Sequence, residues 1–108
     1  MTTADDASFG GYLEVHDRPP AFEGADGLAY SAEVYVDDEP DATGRYGGAI
    51  LFVQWSADGT RPTGHVETPF VCFGATPDEA GAGVRALTLH EVKDLLDRAI
   101  RARPEKPT

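Results

Sequence analysis

Residues 49–55 read Ala-Ile-Leu-Phe-Val-Gln-Trp, so apolar side chains occupy consecutive positions. In an extended strand, neighbouring side chains point to opposite faces. Ile50 and Phe52 then point one way, whereas Leu51 and Val53 point the other way. A strand that is apolar on both faces is typical of the middle of a sheet that is covered on both sides. Residues 49–55 therefore predict a central strand.

Three further segments predict strands. Residues 28–36 alternate between apolar and polar positions, which favours a half-buried antiparallel strand. Residues 12–16 predict a short strand that Pro19 and Pro20 stop, and residues 17–27 predict a loop. Residues 66–73 predict a strand whose pairing changes or bulges at its internal proline.

Two helices follow the strands. Thr76 and Glu79 have the spacing of a capping box, with a proline between them at the first helical position, and this helix is expected to end near Ala86. Thr88 and Glu91 repeat the capping signal before a longer helix. The longer helix, from residue 89 to about residue 102, carries an apolar stripe formed by Leu89, Val92, Leu95, Leu96, Ala99 and Ile100.

These elements predict an α+β fold, a four-stranded antiparallel sheet with a C-terminal helix pair packed on one face. The alternative is a small β-barrel or sandwich with one appended helix. We expect a single domain over the 108 residues, with a flexible tail at 1–9 and another tail at 104–108.

The helix pair leaves one apolar sheet face without a predicted cover. The N-terminal segment is one candidate cover, through Phe9, Tyr12 and Phe22. A second copy of the chain is the other, because an exposed patch of this kind is unusual on a monomer. A homodimer is therefore one of the two expectations.

The net charge of −10 is concentrated at one end of the chain. Residues 1–41 carry eleven acidic residues and one basic residue, Arg18, whereas residues 42–108 carry eight of each. This balance disfavours binding to nucleic acid or to anionic membranes, both of which require clustered Lys and Arg. A basic protein partner remains open, as does a general acidity of the host's proteins, which seven Arg against two Lys would fit.

The sequence contains no apolar run of the roughly 18 residues that a membrane helix requires. Its first residues are acidic, unlike the basic start of a signal peptide. A single cysteine, Cys72, excludes an intramolecular disulfide and a multi-cysteine zinc site. We therefore expect a soluble cytoplasmic protein.

No catalytic set can be assembled from the sequence. His16, His65 and His90 lack metal-ligand spacing, and Cys72 lies in an apolar run where a free cysteine acts as a small buried hydrophobe. No glycine-rich phosphate-binding motif is present. We predict no metal, no cofactor and no catalytic residue, and an enzyme is the least favoured of three functional classes.

Residues 71–80, Val-Cys-Phe-Gly-Ala-Thr-Pro-Asp-Glu-Ala, resemble the turn from strand to helix in HicB-type antitoxins. Those are small acidic proteins with a β-β-β-α arrangement. Where that family usually has an aromatic-Pro-Gly-Cys motif, this chain has Glu-Thr-Pro-Phe at residues 67–70, and residues 101–108, which follow Ile100, contain no DNA-binding extension. The resemblance covers ten residues and does not assign the chain to the family.

The favoured function is a non-enzymatic protein-interaction module, which could be antitoxin-like, immunity-like or an assembly subunit. Its predicted partner-binding residues are Glu14, Glu33, Tyr35, Asp37 and Asp38. Glu33, Tyr35 and Asp37 share one strand face by alternation. Glu14 joins them only if the first strand pairs beside the second. The alternative function is a small-ligand-binding domain that uses a cleft between sheet and helix, lined by Trp55 and tyrosines.

Overall fold

Eight helices and strands lie within residues 7–103, the part of the chain that the computed structural model describes. In chain order they are α1 (Phe9–His16), β1 (Ala21–Glu23), β2 (Ala29–Val36), β3 (Tyr46–Trp55), β4 (Pro62–Glu67), β5 (Cys72–Gly74), α2 (Pro77–Arg85) and α3 (Leu89–Ala102). The strands form one antiparallel sheet in the order β1-β2-β3-β4, and β5 pairs with the start of β3. The predicted α+β class, with the C-terminal helices on the sheet, is confirmed.

The two strands with the clearest sequence patterns form the middle of the sheet. β2 and β3 pair along the full length of β2, from Ala29 opposite Trp55 to Val36 opposite Gly48. Their shared apolar side is fully buried at Tyr30 and Phe52. The prediction of a central strand over residues 49–55 is therefore confirmed.

The predicted strand over residues 66–73 is interrupted at Pro69, where a change in pairing was expected. β4 and β5 both pair with β3, but residues 68–71 between them form no regular strand. The Thr68 amide donates to the Ile50 carbonyl at 3.0 Å, and the Val71 amide donates to the Gly48 carbonyl at 2.8 Å. Pro69 cannot donate, so the ladder breaks around it.

The predicted strand over residues 12–16 is wrong, because this segment is the second half of helix α1. Ser8 caps the helix by accepting from the Gly11 amide at 2.9 Å, and Asp17 ends it in the left-handed conformation with φ 52°. Phe9 and Leu13, four residues apart, both pack into the core. That helical spacing was the overlooked signal.

The predicted flexible tail at residues 1–9 includes residues 7–9, which the structure holds in place. The Phe9 amide donates to the Leu87 carbonyl, and the Leu89 amide donates to the Ala7 carbonyl, both at 2.8 Å. Residues 7–9 are therefore fixed to the turn between α2 and α3. The rest of this tail, residues 1–6, and the predicted tail at 104–108 lie outside the described residues.

The predicted loop over residues 17–27 contains a short edge strand. Ala21 to Glu23 pair with β2, and the Ala32 amide donates to the Pro20 carbonyl at 3.0 Å. Two prolines directly before an edge strand are compatible with it, because an edge strand has one side without ladder bonds. The sheet has five strands instead of four because β1 replaces the predicted strand over residues 12–16 and the predicted strand over residues 66–73 is divided between β4 and β5.

The capping signals of both C-terminal helices are confirmed in most respects. At α3, Thr88 accepts from the Glu91 amide and the Glu91 carboxylate accepts from the Thr88 amide, a complete capping box. At α2, Thr76 accepts from the Glu79 amide at 3.1 Å. The Glu79 carboxylate, however, accepts from the Ala75 amide instead of the Thr76 amide.

All three helices pack on one side of the sheet, which we call the inner face. Gly48 of β3 lies against α2 so closely that a Cβ at this position would be 2.8 Å from the Ala80 carbonyl oxygen. One core cluster joins the sheet to every helix through Phe9, Tyr30, Ala32, Ile50, Phe52, Val66, Val84, Val92 and Leu96. Phe9 and Phe22, which were expected to cover the opposite face, therefore belong to the inner core instead.

Candidate functional site

The opposite side of the sheet, which we call the outer face, carries no helix of the described chain. Strand alternation and the pairing register place on it Ser31, Glu33, Tyr35, Ala49, Leu51, Val53, Trp55, His65, Glu67 and Phe73. Leu51, Val53 and Trp55 on the central strand are only half-buried. β3, whose apolar pattern predicted a cover on both faces, is therefore covered by helices only on its inner face.

Two carboxylates border this apolar strip at its middle. Glu33 of β2 and Glu67 of β4 both stand directly opposite Leu51, one on each side. Both glutamates are exposed. An apolar side chain with a carboxylate on either side can receive a partner group that is apolar in its stem and cationic at its end.

Trp55 closes one end of the strip. Its indole Nε1 donates to the Ser31 hydroxyl at 2.9 Å, so the ring lies across β2 and β3 on the outer face. The alternative interpretation, in which Trp55 lines a cleft between sheet and helix, is wrong, because the helices lie on the other side of the sheet. Tyr30, one of the tyrosines expected at the same cleft, is fully buried in the core.

Aromatic side chains form the other end of the strip. The Phe70 ring occupies the space above Gly47, where a Cβ would lie 2.5 Å from the ring. Phe70 and Phe73 make an edge-to-face contact at 5.8 Å, and the Arg45 guanidinium lies 4.6 Å from the centre of the Phe73 ring. Phe70, Phe73 and the neighbouring Tyr35 are each more than 40% exposed. These exposed aromatic side chains extend the apolar strip beyond β3.

The structure brings together only part of the predicted partner-binding set. Glu33 and Tyr35 lie side by side on the outer face, and Asp37 and Asp38 follow in the loop after β2. Glu14 is on α1, which packs on α2 at the inner side, and the first-strand pairing that would have joined it to β2 does not occur. Glu14 is therefore not part of the outer face.

Two aspartates of the acidic loop serve to hold its shape. Asp37 accepts from the Glu39 amide at 3.1 Å. Asp41 accepts from the Thr43 hydroxyl at 2.6 Å and from the amides of Thr43 and Arg45. The Thr43 hydroxyl and the amide of Arg45 hold the pKa of Asp41 below its ordinary value. The loop is an ordered turn, with Asp38 and Glu39 exposed at its tip.

The histidines and the cysteine are dispersed. His16 stacks on Tyr12 at 4.2 Å on α1, His65 lies on β4, and His90 lies 3.8 Å from Asp94 at the start of α3. Among residues 7–103, no group of three or more His, Cys, Asp or Glu side chains is arranged to hold a metal ion.

Cys72 lies between the sheet and α2 and is half-buried. Its Sγ is 3.2 Å from the Ala80 carbonyl oxygen, and burial raises the pKa of the thiol above its ordinary value. Because the thiolate is the reactive form, we expect a thiol reagent to label native Cys72 slowly and denatured Cys72 rapidly. The labelling rate is measured by the absorbance of the group that the reagent releases. Equal labelling rates in the native and denatured protein would contradict this packing.

A groove of about 580 Å³ runs between β4 and α3. Its floor is apolar, from Val66, Pro69, Leu95, Ala99 and Ala102, and the lining described for it includes no Phe, Trp or Tyr. Its polar groups are Arg98, the exposed edge of β4 at His65 and Glu67, and two groups that already have partners, Thr68 and Arg103. Thr68 is held by the Ile50 amide, which donates to its hydroxyl at 3.0 Å.

A polar network fastens the end of α3 to the sheet. Tyr30 donates to Asp26 at 2.7 Å, and Arg103 contacts Asp26 at 3.1 Å and Gln54 at 3.3 Å. Partial burial raises the pKa of Asp26, but hydrogen bonds from Tyr30, Leu28 and Arg103 together lower it below the ordinary 3.8. Arg103 also donates to the Tyr30 hydroxyl at 3.3 Å, so the network links α3 to β2 through both side chains.

The lowered pKa of Asp26 makes its contribution to stability depend on pH. The contribution is present above the unfolded-state pKa and is lost as pH falls through the lower folded-state pKa. The Asp26→Asn variant should therefore be less stable than wild type at neutral pH, and the gap should narrow below about pH 4. Urea unfolding at a series of pH values measures this gap. Asp38→Asn, at an exposed carboxylate outside the network, is the control, and a constant gap for Asp26→Asn would contradict the assignment.

Comparison of the chain with models of protein families, with curated protein sequences and with solved structures found no match in any of the three. Within residues 7–103, no helix is long and apolar enough to cross a membrane.

Proposed function

We propose that this protein is a non-enzymatic protein-interaction module that binds a partner protein with a basic surface on its outer face. The observation that carries the proposal is the apolar strip of β3, which no described helix covers and which Glu33 and Glu67 border. In functional terms the module acts as an antitoxin-like or immunity-like neutraliser, or as an assembly subunit.

The apolar part of the outer face supports binding to a protein instead of to a small molecule. Leu51, Val53 and Trp55 run along one strand, and the aromatic group of Tyr35, Phe70 and Phe73 continues the strip. Aromatic residues are enriched at protein interfaces, and a strip on an open sheet is shallow. Small-molecule sites are concave, so this shape favours a partner surface.

The charge of the outer face supports a basic partner. Glu33 and Glu67 stand on the strip, and the loop with Asp38 follows the end of β2. Arg45, a cation beside the acidic loop, lies over the Phe73 ring and is 3.9 Å from Asp41, which offsets its charge. A cluster of negative carboxylates attracts a cationic partner over a distance of about one Debye length. Association should therefore slow as added salt shortens the Debye length below its physiological value of about 8 Å.

The test compares two charge reversals that change the net charge equally. Glu33→Lys lies on the outer face, and Glu14→Lys lies on α1 at the inner side. Immobilised wild type is used to capture a partner from the source organism, and the association rate of that partner with wild type and with each variant is then measured against salt concentration. We expect Glu33→Lys to slow association by about tenfold or more and Glu14→Lys to leave it close to wild type.

Both substitutions are at exposed positions, so each should change the free energy of unfolding by less than about 0.5 kcal/mol. A thermal melt of each variant checks this. If both reversals slow association equally, the effect is one of net charge and the outer face is not the site. If only Glu14→Lys slows it, the partner binds the helical side.

A second candidate function is small-ligand binding in the groove between β4 and α3. Its volume of about 580 Å³ is within the range of ligand sites. The lining described above has no aromatic group, and the free edge of β4 forms one wall, which favours a strand over a small molecule. A ligand found by screening that changes the melting temperature of wild type and of Glu33→Lys alike would support this function.

A further inference from the structure

The free edge of β4 has a defined hydrogen-bonding pattern. The Thr68 amide donates to the Ile50 carbonyl, so the backbone groups of Thr68 and Val66 point towards β3. By strand alternation, the backbone groups of His65 and Glu67 point away from the sheet. No strand of the described chain pairs with β4 on that side. Unpaired edges of this kind are templates for another strand.

Prolines limit where a strand could be added. Pro62 begins β4 and Pro69 follows it, and neither has an amide to donate. Only residues 63–68 remain, with the outward amides of His65 and Glu67 at their centre. An added strand must therefore be short and must pair in a narrow choice of registers.

We propose that β4 pairs in antiparallel fashion with β4 of a second copy of this chain, with Val66 of the two copies on the two-fold axis. In this register His65 of each copy stands opposite Glu67 of the other. The two residues on each strand whose backbone groups point outward then exchange hydrogen bonds. Each imidazole N–H can donate to the facing carboxylate, so the interface is complementary to itself.

Register choice follows from this complementarity. Shifting the axis to His65 would place the two imidazoles opposite each other and Glu67 opposite Thr63, which removes both cross-strand pairs. A different protein would need its own matching charges, whereas a second copy supplies them by symmetry.

The apolar floor of the groove also requires a cover. Leu95, Ala99 and Ala102 lie at helical spacing on the side of α3 that lines the groove, and Val66 of β4 lies beside them. Edge pairing extends the sheet, so the second copy's α3 lies on the same side as this one and brings the same apolar stripe to the joint. The groove is then filled from both sides.

This dimer uses His65 and Glu67 at the border of the outer face and leaves Glu33, Leu51 and Trp55 open on both copies, so it does not rest on the proposed function. Its partner is a second copy bound at the sheet edge, whereas the proposed function concerns a basic protein on the sheet surface. Glu33 belongs only to the second, which keeps the two experiments separate.

The test uses a proline that blocks the edge without touching the internal ladder. His65→Pro removes an amide that points away from β3, and Glu23→Pro removes the matching outward amide of the opposite edge strand, β1. By light scattering over a concentration series, wild type and Glu23→Pro should approach twice the 11.5 kDa of the chain. His65→Pro should stay at the mass of one chain.

Charge exchange tests the register even if the proline variant fails to fold. His65→Glu and Glu67→Lys should each weaken the dimer by about tenfold. His65→Glu places two carboxylates opposite each other, and Glu67→Lys removes the carboxylate that faces the imidazole in both cross-strand pairs. The double variant should recover most of the wild-type affinity, because the carboxylate introduced at position 65 would face the ammonium introduced at position 67 of the other copy. A wild type that stays monomeric throughout, a His65→Pro variant that still dimerises, or a double variant no tighter than the single ones would each overturn the proposal.

Discussion

Replacing Gly48 by alanine is expected to lower the free energy of unfolding by about 2–3 kcal/mol. The added Cβ would be 2.8 Å from both the Ala80 carbonyl oxygen and the Val84 Cγ2. The carbonyl belongs to the backbone of α2, so relief requires the whole helix to move away from β3. That movement would loosen the contact between Val84 and the core cluster.

Gly64→Ala is the matched control for this substitution. Gly64 also lies on a strand next to β3, but a Cβ there would have its nearest neighbour, the Gln54 side chain, at 3.9 Å. We expect a change of less than about 0.5 kcal/mol in urea unfolding for this variant. If the two variants lose equal stability, the close contact between β3 and α2 is not as described.

Leu96→Ala should remove a larger part of the stability, about 2–5 kcal/mol. Leu96 is fully buried on α3 and joins the core cluster between the helices and the inner face of the sheet. A domain of this size has a total free energy of unfolding of roughly 5–10 kcal/mol, so this single substitution would remove a large share of it.

Leu95→Ala is the neighbouring control on the same helix. Leu95 is half-buried at the groove, so its truncation removes less buried surface and should lower the free energy of unfolding by about 1 kcal/mol. Chemical denaturation of both variants gives the comparison. A loss below about 1 kcal/mol for Leu96→Ala would mean that α3 does not pack through this stripe.

The elements that sequence patterns predicted well are those whose local signals agree with each other. β2 and β3 alternate cleanly and pair over their full overlap, and α3 combines a capping box with an apolar stripe. In these elements the period of the apolar residues and the end signals require the same structure.

The elements predicted wrongly have short or mixed signals. Residues 12–16 alternate as a strand would, but Phe9 and Leu13 are held in the core by helical spacing and by the Ser8 cap. β1 has only three residues and gains its stability from pairing with β2, which no local pattern reveals.

The candidate site was predicted only in part for a different reason. Alternation alone puts Glu33 and Tyr35 on one strand face. The contribution of Phe70 and Phe73 depends on how the chain returns after Pro69, and that path is set by tertiary packing on Gly47. Leu51, Val53 and Trp55 were recognised as one apolar face, but the sequence could not show that the three helices and Phe22 would all pack on the other side.

Hydroxyl-radical footprinting of the captured complex distinguishes binding at the outer face from binding elsewhere. Oxidation of Tyr35, Trp55 and Phe73 should fall in the complex relative to the free protein, because the partner covers these side chains. His16 on α1, exposed on the helical side, should be oxidised equally in both. Protection of His16 with unchanged oxidation of the three outer-face residues would show that the partner does not bind the outer face.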